Sequence, residues 1–313
     1  MRIRDHRPFQ AGPVIRKKGR GPKKDESQEI LSREGSKKRG DMRPDDFQDI
    51  IYQPEEETGI VTVTINQPAR KNALSALTFL ELWYAVDTME KDPSAKAMIL
   101  TGQGDIFSSG GYFDTGLLKN LDPETVKEID LADIAQKKLC LKFWQFKKPV
   151  IAAINGLAIG GGFTFPFSCA DFVYMAEEAS ISLPFLKLGI LPEFASTYLL
   201  PRLLGFQKAK EIMYSGGPLS AQQALELGLV NKVLPREQLM SFARQKALEM
   251  ISPQGAGLAM QLAKQAIHKP LIEELTAALD AENQGLGQAF ASEDFKEVVK
   301  ARQEKRKPVF KGK

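Results

Sequence analysis

The chain has 313 residues, 43% of them apolar and 26% charged, the composition of a globular protein with room for a full core and an accessory segment. Its longest apolar run, residues 150–159, is broken by Asn155 and falls far short of the roughly 20 residues a membrane-spanning helix needs. Two cysteines, Cys140 and Cys169, and two histidines, His6 and His268, exclude a disulfide framework, a four-cysteine zinc site and a multi-histidine metal centre. They also leave little room for Ser-His-Asp chemistry, so any catalysis falls to backbone groups and carboxylates.

The net charge of +4 is unevenly spread. Residues 1–44 hold eight Arg and six Lys against six Asp or Glu, which is +8 and leaves −4 for the remainder. This segment is poor in large apolar residues and carries the basic runs Arg16-Lys17-Lys18 and Lys37-Lys38-Arg39. It cannot bury enough surface to offset its ordering entropy, so a disordered, solvated arm is expected. A nucleic-acid or anionic-surface contact through it is the disfavoured alternative. Asp25, Glu26, Glu29 and Glu34 are wrong for an acid-poor transit sequence, so the expected location is cytoplasmic.

The body begins near Phe47. Ile60-Val-Thr-Val-Thr-Ile65 alternates apolar and polar residues and predicts a strand with one buried face. Residues 75–89 carry Leu77, Leu80, Leu82, Trp83, Val86 and Met89 at helical spacing. Residues 97–101 read as a short apolar strand ending at Gly102, and residues 149–154 as another. A helix is predicted over 163–169, in which Pro166 is tolerable only within the first turn. From residue 220 the pattern is helix after helix: 220–227, 236–251, 254–266, 271–290 and 292–305. Strands alternating with helices, then helices alone, give an α/β class followed by α.

Two glycine-bearing turns each follow an apolar strand: Gly102-Gln-Gly-Asp-Ile-Phe-Ser-Ser-Gly-Gly111 and Asn155-Gly-Leu-Ala-Ile-Gly-Gly-Gly162. Glycine lets a backbone approach a ligand without a Cβ clash, and a helix opening after the second turn would aim free N–H groups at it. Neither turn is a Walker A loop, because no Lys-Ser/Thr follows the glycines, and neither fits G-x-G-x-x-G. Asp105 reads as a turn residue.

Six segments occur in the order found in the crotonase (enoyl-CoA hydratase/isomerase) superfamily, which the chain resembles from about Phe47 to its end. They are Asn66-Gln-Pro-Ala-Arg-Lys-Asn-Ala-Leu-Ser75, the first glycine turn, Lys148-Pro-Val-Ile-Ala-Ala-Ile-Asn-Gly156 running into the triple glycine, Leu183-Pro-Phe-Leu-Lys-Leu-Gly-Ile-Leu-Pro-Glu193, Ala221-Gln-Gln-Ala-Leu-Glu-Leu-Gly-Leu-Val-Asn231 and Glu304-Lys-Arg-Lys-Pro308. The resemblance implies a crotonase/ClpP-like spiral of ββα units over residues 45–245, with strands in two roughly perpendicular sheets. An α-helical trimerisation domain over 246–313 is implied to follow, building a homotrimer or a dimer of trimers. The implied substrate is an acyl-CoA thioester, with no metal and no cofactor beyond its CoA moiety.

By the same resemblance, the backbone N–H groups of Gly111 and Gly161 form an oxyanion hole for the thioester. Lys71, Asn72, Ala73, Leu74 and Ser109 border the CoA, with Arg70 or Lys71 as a phosphate contact. Lys305 falls at a phosphate-contacting position of the tail, while Arg302 replaces the aromatic usual there. Hydratases of the family use two glutamates, at positions that here hold Thr164 and Phe185, neither of which shuttles a proton at neutral pH. Glu193 instead matches the carboxylate of the branch that isomerises 3-enoyl-CoA to 2-enoyl-CoA, and apolar neighbours Phe185, Leu191 and Phe194 are expected to raise its pKa. Asp114 is a lesser candidate, and Tyr112 and Phe113 are expected near the acyl chain. The rivals are another crotonase-type reaction (hydration, decarboxylation or thioester hydrolysis) and a non-catalytic acyl-CoA- or RNA-binding oligomer.

Overall fold

Among the described residues, ten strands divide between two sheets, and the chain passes from one to the other at short turns. In the computed structural model the described residues are 42–112, 123–129 and 133–313. The basic arm, apart from 42–44, lies outside them, as do Phe113 and Asp114. The larger sheet runs in the order β1 (Ile50–Pro54), β2 (Ile60–Ile65), β3 (Ala97–Gly102), β5 (Val150–Ile154), β7 (Phe172–Ala176), β10 (Lys232–Leu234). All its neighbours are parallel except β1 and β2, which pair antiparallel with Ile50 opposite Ile65. The smaller sheet orders β4 (Ile106–Ser108), β6 (Leu157–Ile159), β8 (Ser180–Ser182), β9 (Pro218–Ser220).

Strands β3, β5 and β7 of the larger sheet each lead directly into a strand of the smaller one, β4, β6 and β8. Helical segments then return the chain: α2 (Pro123–Glu128) and α3 (Leu139–Gln145) after β4, α4 (Gly161–Cys169) after β6, α5 (Ser196–Leu204) and α6 (Phe206–Ser215) after β8. This repetition of strand, strand and helix is the expected spiral. Helices α9 (Gly257–His268), α10 (Ile272–Ala291) and α11 (Glu293–Gln303) make up the C-terminal helical region, following α7 (Ala221–Glu226) and α8 (Arg236–Met250). Among these, α10 packs on α5 and on the π-helical turn Ile134–Lys138 before α3.

The first long helix, α1 (Ala76–Lys91), starts where Ser75 Oγ accepts the Thr78 N–H at 3.1 Å. Ser220 and Ser292 open α7 and α11 in the same way. Strands β3 and β5 are buried at every residue, as continuous apolar runs in a two-sided parallel sheet should be. Strand β2 departs from its expected single buried face. Only Thr62 is partly exposed, because β2 lies inside the sheet and α8 packs across β2, β3, β5 and β7. Pro166 also departs from expectation: it sits in the second turn of α4, where its missing N–H leaves the Gly162 carbonyl without that intrahelical donor.

The crossings between sheets are tight. Asn155 fastens the end of β3, donating from Nδ2 to Gly102 O at 2.8 Å and Gly104 O at 2.7 Å and accepting the Gly102 N–H at 3.2 Å. The next residue, Gly156, lies so close to Asp105 that a Cβ there would stand 1.9 Å from its carbonyl oxygen. Gly156→Ala is therefore expected to lower stability by about 2 kcal/mol or more in denaturant titration, through forced backbone displacement. Gly217→Ala, at a site with open space and ordinary φ, should leave the midpoint unchanged.

Candidate active site

The first turn is shaped by backbone pairing. Beyond β4, Gly110 takes φ +91° and gives its N–H to Ser108 Oγ at 3.2 Å. Its carbonyl accepts the Leu74 N–H at 2.8 Å, and the Leu74 carbonyl accepts the Tyr112 N–H at 2.8 Å. Gly111 is thus bridged to Leu74, and strand alternation turns its own N–H to the opposite side. Among the described residues that N–H has no acceptor.

The second turn meets the first. A Cβ built on Gly110 would lie 2.6 Å from Ile159 O and 3.8 Å from Gly161 N. Gly160 has φ +53° and hands its carbonyl to the Phe163 and Thr164 N–H groups, which starts α4. Gly161 is the first residue of that helix, and its N–H has no acceptor among the described residues. A side chain at Gly162 would strike Ser108 O at 2.6 Å, so the helix start rests on the end of β4.

Glu193 completes the site. Its Oε1 lies 2.6 Å from where a Gly161 Cβ would stand, and its Oε2 accepts from Gln136 Nε2 at 3.1 Å. The next two residues, Phe194 and Ala195, both have left-handed φ, +59° and +56°, an arrangement that costs a non-glycine pair on the order of 1–3 kcal/mol each. Two features hold them there. The Phe194 ring is fully buried between Phe79 and Phe165, with centroids 5.6 and 5.5 Å away. Glu282 reaches from α10 to accept from Ala195 N at 2.7 Å, Thr197 N at 3.0 Å and Thr197 Oγ1 at 2.6 Å.

The electrostatics follow from this enclosure. Glu193 is half-buried, and the loss of water around its carboxyl, reinforced by the negative charge of Glu282, raises its pKa to about 7 against the opposing hydrogen bond from Gln136. Burial also lifts Glu282 to about 6, opposed by its bonds to Thr197 and Ala195.

The remaining expected residues take distinct places. Thr164 is fully buried and donates to Gly160 O at 3.3 Å, and the Phe185 ring stands 3.6 Å from a Gly160 Cβ position. The segment 71–74 is laced to the first turn, since the Lys71 carbonyl accepts the Ser109 N–H at 3.0 Å and Ser109 Oγ donates to Arg70 O at 3.3 Å. Within it, Lys71 is exposed while Ala73 and Leu74 are buried. The Asn72 side chain is spent inside the protein, accepting from Gln67 N at 2.9 Å and donating to Gln103 O and Ile106 O at 2.9 and 2.6 Å. Arg70 is held by Asp49 at 3.1 Å and lies over the Tyr112 ring. Lys305 is exposed at the turn after α11, and among the described residues its ammonium has no hydrogen-bond partner. The segment beyond it folds back on α11: Val309 N donates to Glu297, and the Lys313 carbonyl accepts from Glu293 N and Asp294 N.

Two residues were absent from the sequence reading. Glu282 occupies the stripe Leu275, Leu279, Leu286 at helical spacing, a pattern that marks a buried carboxylate. Gln136 lies where no periodicity points to it.

The model for the enoyl-CoA hydratase/isomerase family matches residues 55–313 of this sequence. The chain belongs to that family, part of the crotonase superfamily. Among its relatives, a short-chain-enoyl-CoA hydratase of Clostridium acetobutylicum is 34% identical, with 81% of this chain and 94% of that protein covered. A 1,2-epoxyphenylacetyl-CoA isomerase of Escherichia coli is 34% identical, covering 82% and 97%. The solved structure of an enoyl-CoA hydratase/isomerase from Pseudoalteromonas atlantica superposes with a TM-score of 0.73 at 29% identity, over 84% of this chain and all of that one.

In this crotonase chain the raised pKa of Glu193 has a stability signature. Below pH about 4.5 the carboxyl is protonated in both folded and unfolded chains. As pH rises to 7 the unfolded chain ionises first, so folded stability falls, by about 2 kcal/mol or more once pH exceeds 7. Glu193→Gln is expected to raise the melting temperature at pH 8, with the gain fading as pH drops to 4.5.

Proposed function

We propose that this protein isomerises an unsaturated acyl-CoA, moving a 3,4 double bond to the 2,3 position. The carbonyl oxygen of the thioester sits between the N–H groups of Gly111 and Gly161. Glu193 removes a proton from C2, the charge spreads through the dienolate onto that oxygen, and Glu193 returns the proton at C4. Each well-placed backbone donor is worth roughly 3–4 kcal/mol to such a transition state. No water is activated, so one carboxylate suffices. Lys71, Asn72, Ala73, Leu74 and Ser109 border the CoA, Asn72 through the shape it gives the backbone, and Lys305 meets a phosphate. Exposed Leu258, Leu262 and Ile267 on α9 support assembly into a homotrimer or dimer of trimers.

The observation that carries this function is the carboxyl of Glu193, alone against Gly161, with Thr164 and Phe185 where hydratases place their glutamates. Its pKa near 7 suits a group that must take and return a proton at neutral pH. Hydratase names among the relatives favour the second reading, hydration of a 2-enoyl-CoA. A spectroscopic assay separates the two. Wild type is expected to convert 3-hexenoyl-CoA, and Glu193→Gln to lower kcat by about a hundredfold or more. Hydration of crotonyl-CoA outpacing isomerisation, at a rate indifferent to Glu193→Gln, would overturn this assignment.

A further inference from the structure

Gln136 makes one hydrogen bond with its side chain and leaves one group idle. Nε2 donates to Glu193 Oε2, while Oε1 is buried without a partner among the described residues. The residue is 7% exposed and belongs to the π-helical turn Ile134–Lys138, a geometry often found at functional sites. A buried amide oxygen left unsatisfied costs about 1–3 kcal/mol, so pairing within the fold does not account for this residue.

The two oxygens of Glu193 are therefore unequal. Oε1 faces Gly161, and Oε2 faces an N–H donor. A carboxyl that has taken up a proton carries one O–H and one bare acceptor oxygen. If the proton lies on Oε1, Oε2 goes on accepting from Gln136 and nothing moves. If it lies on Oε2, an O–H and an N–H point at each other, and the amide must turn over.

Resting on Glu193 as the proton carrier, we infer that Gln136 is a positioning residue that keeps Oε2 an acceptor and so confines proton transfer to Oε1. The base then swings between C2 and C4 on one oxygen, already on the side of the thioester. Glu282 on α10 acts on Glu193 through its charge, which raises the Glu193 pKa, but no charged side chain bonds the Gln136–Glu193 pair among the described residues. Glu282 on α10 spends its carboxylate on Ala195 and Thr197, Lys137 pairs with Asp280, and Asp133 accepts from Asn283. The helix α4 carries no charged side chain.

The test is the pH dependence of kcat/KM for 3-hexenoyl-CoA in the full chain, comparing wild type with Gln136→Met and Gln136→Glu. A hydrogen bond to the ionised form favours it, so its loss should move the acid limb upward by about one pH unit in Gln136→Met. Gln136→Glu, which sets a like charge against Glu193, should move the limb further in the same direction. KM should stay within about twofold, while kcat of Gln136→Met should stay below wild type even on the plateau above the shifted limb, because either oxygen can then take the proton. Full recovery there would leave Gln136 setting only the pKa and would overturn the confinement. If Gln136→Met loses its thermal transition, the isosteric Gln136→Glu carries the test. A limb fixed at its wild-type position, with kcat lowered equally at every pH, would reduce Gln136 to packing and overturn the inference. With Glu193→Gln inactive, that outcome removes only the role of Gln136. Full activity of Glu193→Gln would remove the proton carrier itself.

Discussion

The site depends on a contact between two stretches of backbone that only glycine permits. Gly110 presses on Ile159 and Gly161, and Gly162 on Ser108, so the end of β4 and the start of α4 meet with only the small Ser108 side chain beside them. Their N–H groups at Gly111 and Gly161 are left without acceptors among the described residues because a strand bridge and a helix terminus both orient donors outward. The spiral supplies this contact. Three times a strand of the larger sheet turns into a strand of the smaller one, and the first two crossings carry the two turns.

Against this contact stands a carboxyl that would be cheaper to keep elsewhere. Glu193 is half-buried, sits near a second carboxylate and precedes two residues with left-handed φ. Each of these features costs the folded state free energy, and each has a compensation nearby: the buried Phe194 ring, the three bonds to Glu282 and the amide of Gln136. A raised carboxyl pKa of this kind is what the proposed base would need near neutrality. The C-terminal helix α10 is part of the arrangement, since Glu282 fixes the backbone that aims Glu193. Gly285 of the same helix packs against Leu191 two residues before it, where a Cβ would meet the side chain at 2.8 Å.

Long elements were legible in the sequence for plain reasons. The alternation of residues 60–65 and the helical spacing of residues 75–89 are strong because many residues repeat them, and the C-terminal helices are each ten residues or longer. The smaller sheet was implied by the family resemblance and not by periodicity, because β4, β6, β8 and β9 have three residues each and three residues carry no period. Pro166 misled in the other direction: a rule about helix interiors yields where a glycine turn and dense packing already determine the backbone. Thr164, Phe185 and Glu193 stood out as residue types in telling places through the family resemblance. Glu282 had left its mark in the apolar stripe of α10. Gln136 had not, because an amide reaching across 57 positions to a carboxylate follows from tertiary packing alone.

A crystal structure with an unreactive 3-enoyl-CoA analogue tests the central claim most directly. The thioester oxygen should lie about 2.7–3.1 Å from both Gly111 N and Gly161 N, with Glu193 Oε1 about 3–3.5 Å from C2. A thioester oxygen bound away from either amide, or a Glu193 carboxyl turned out of the cleft between them, would contradict it.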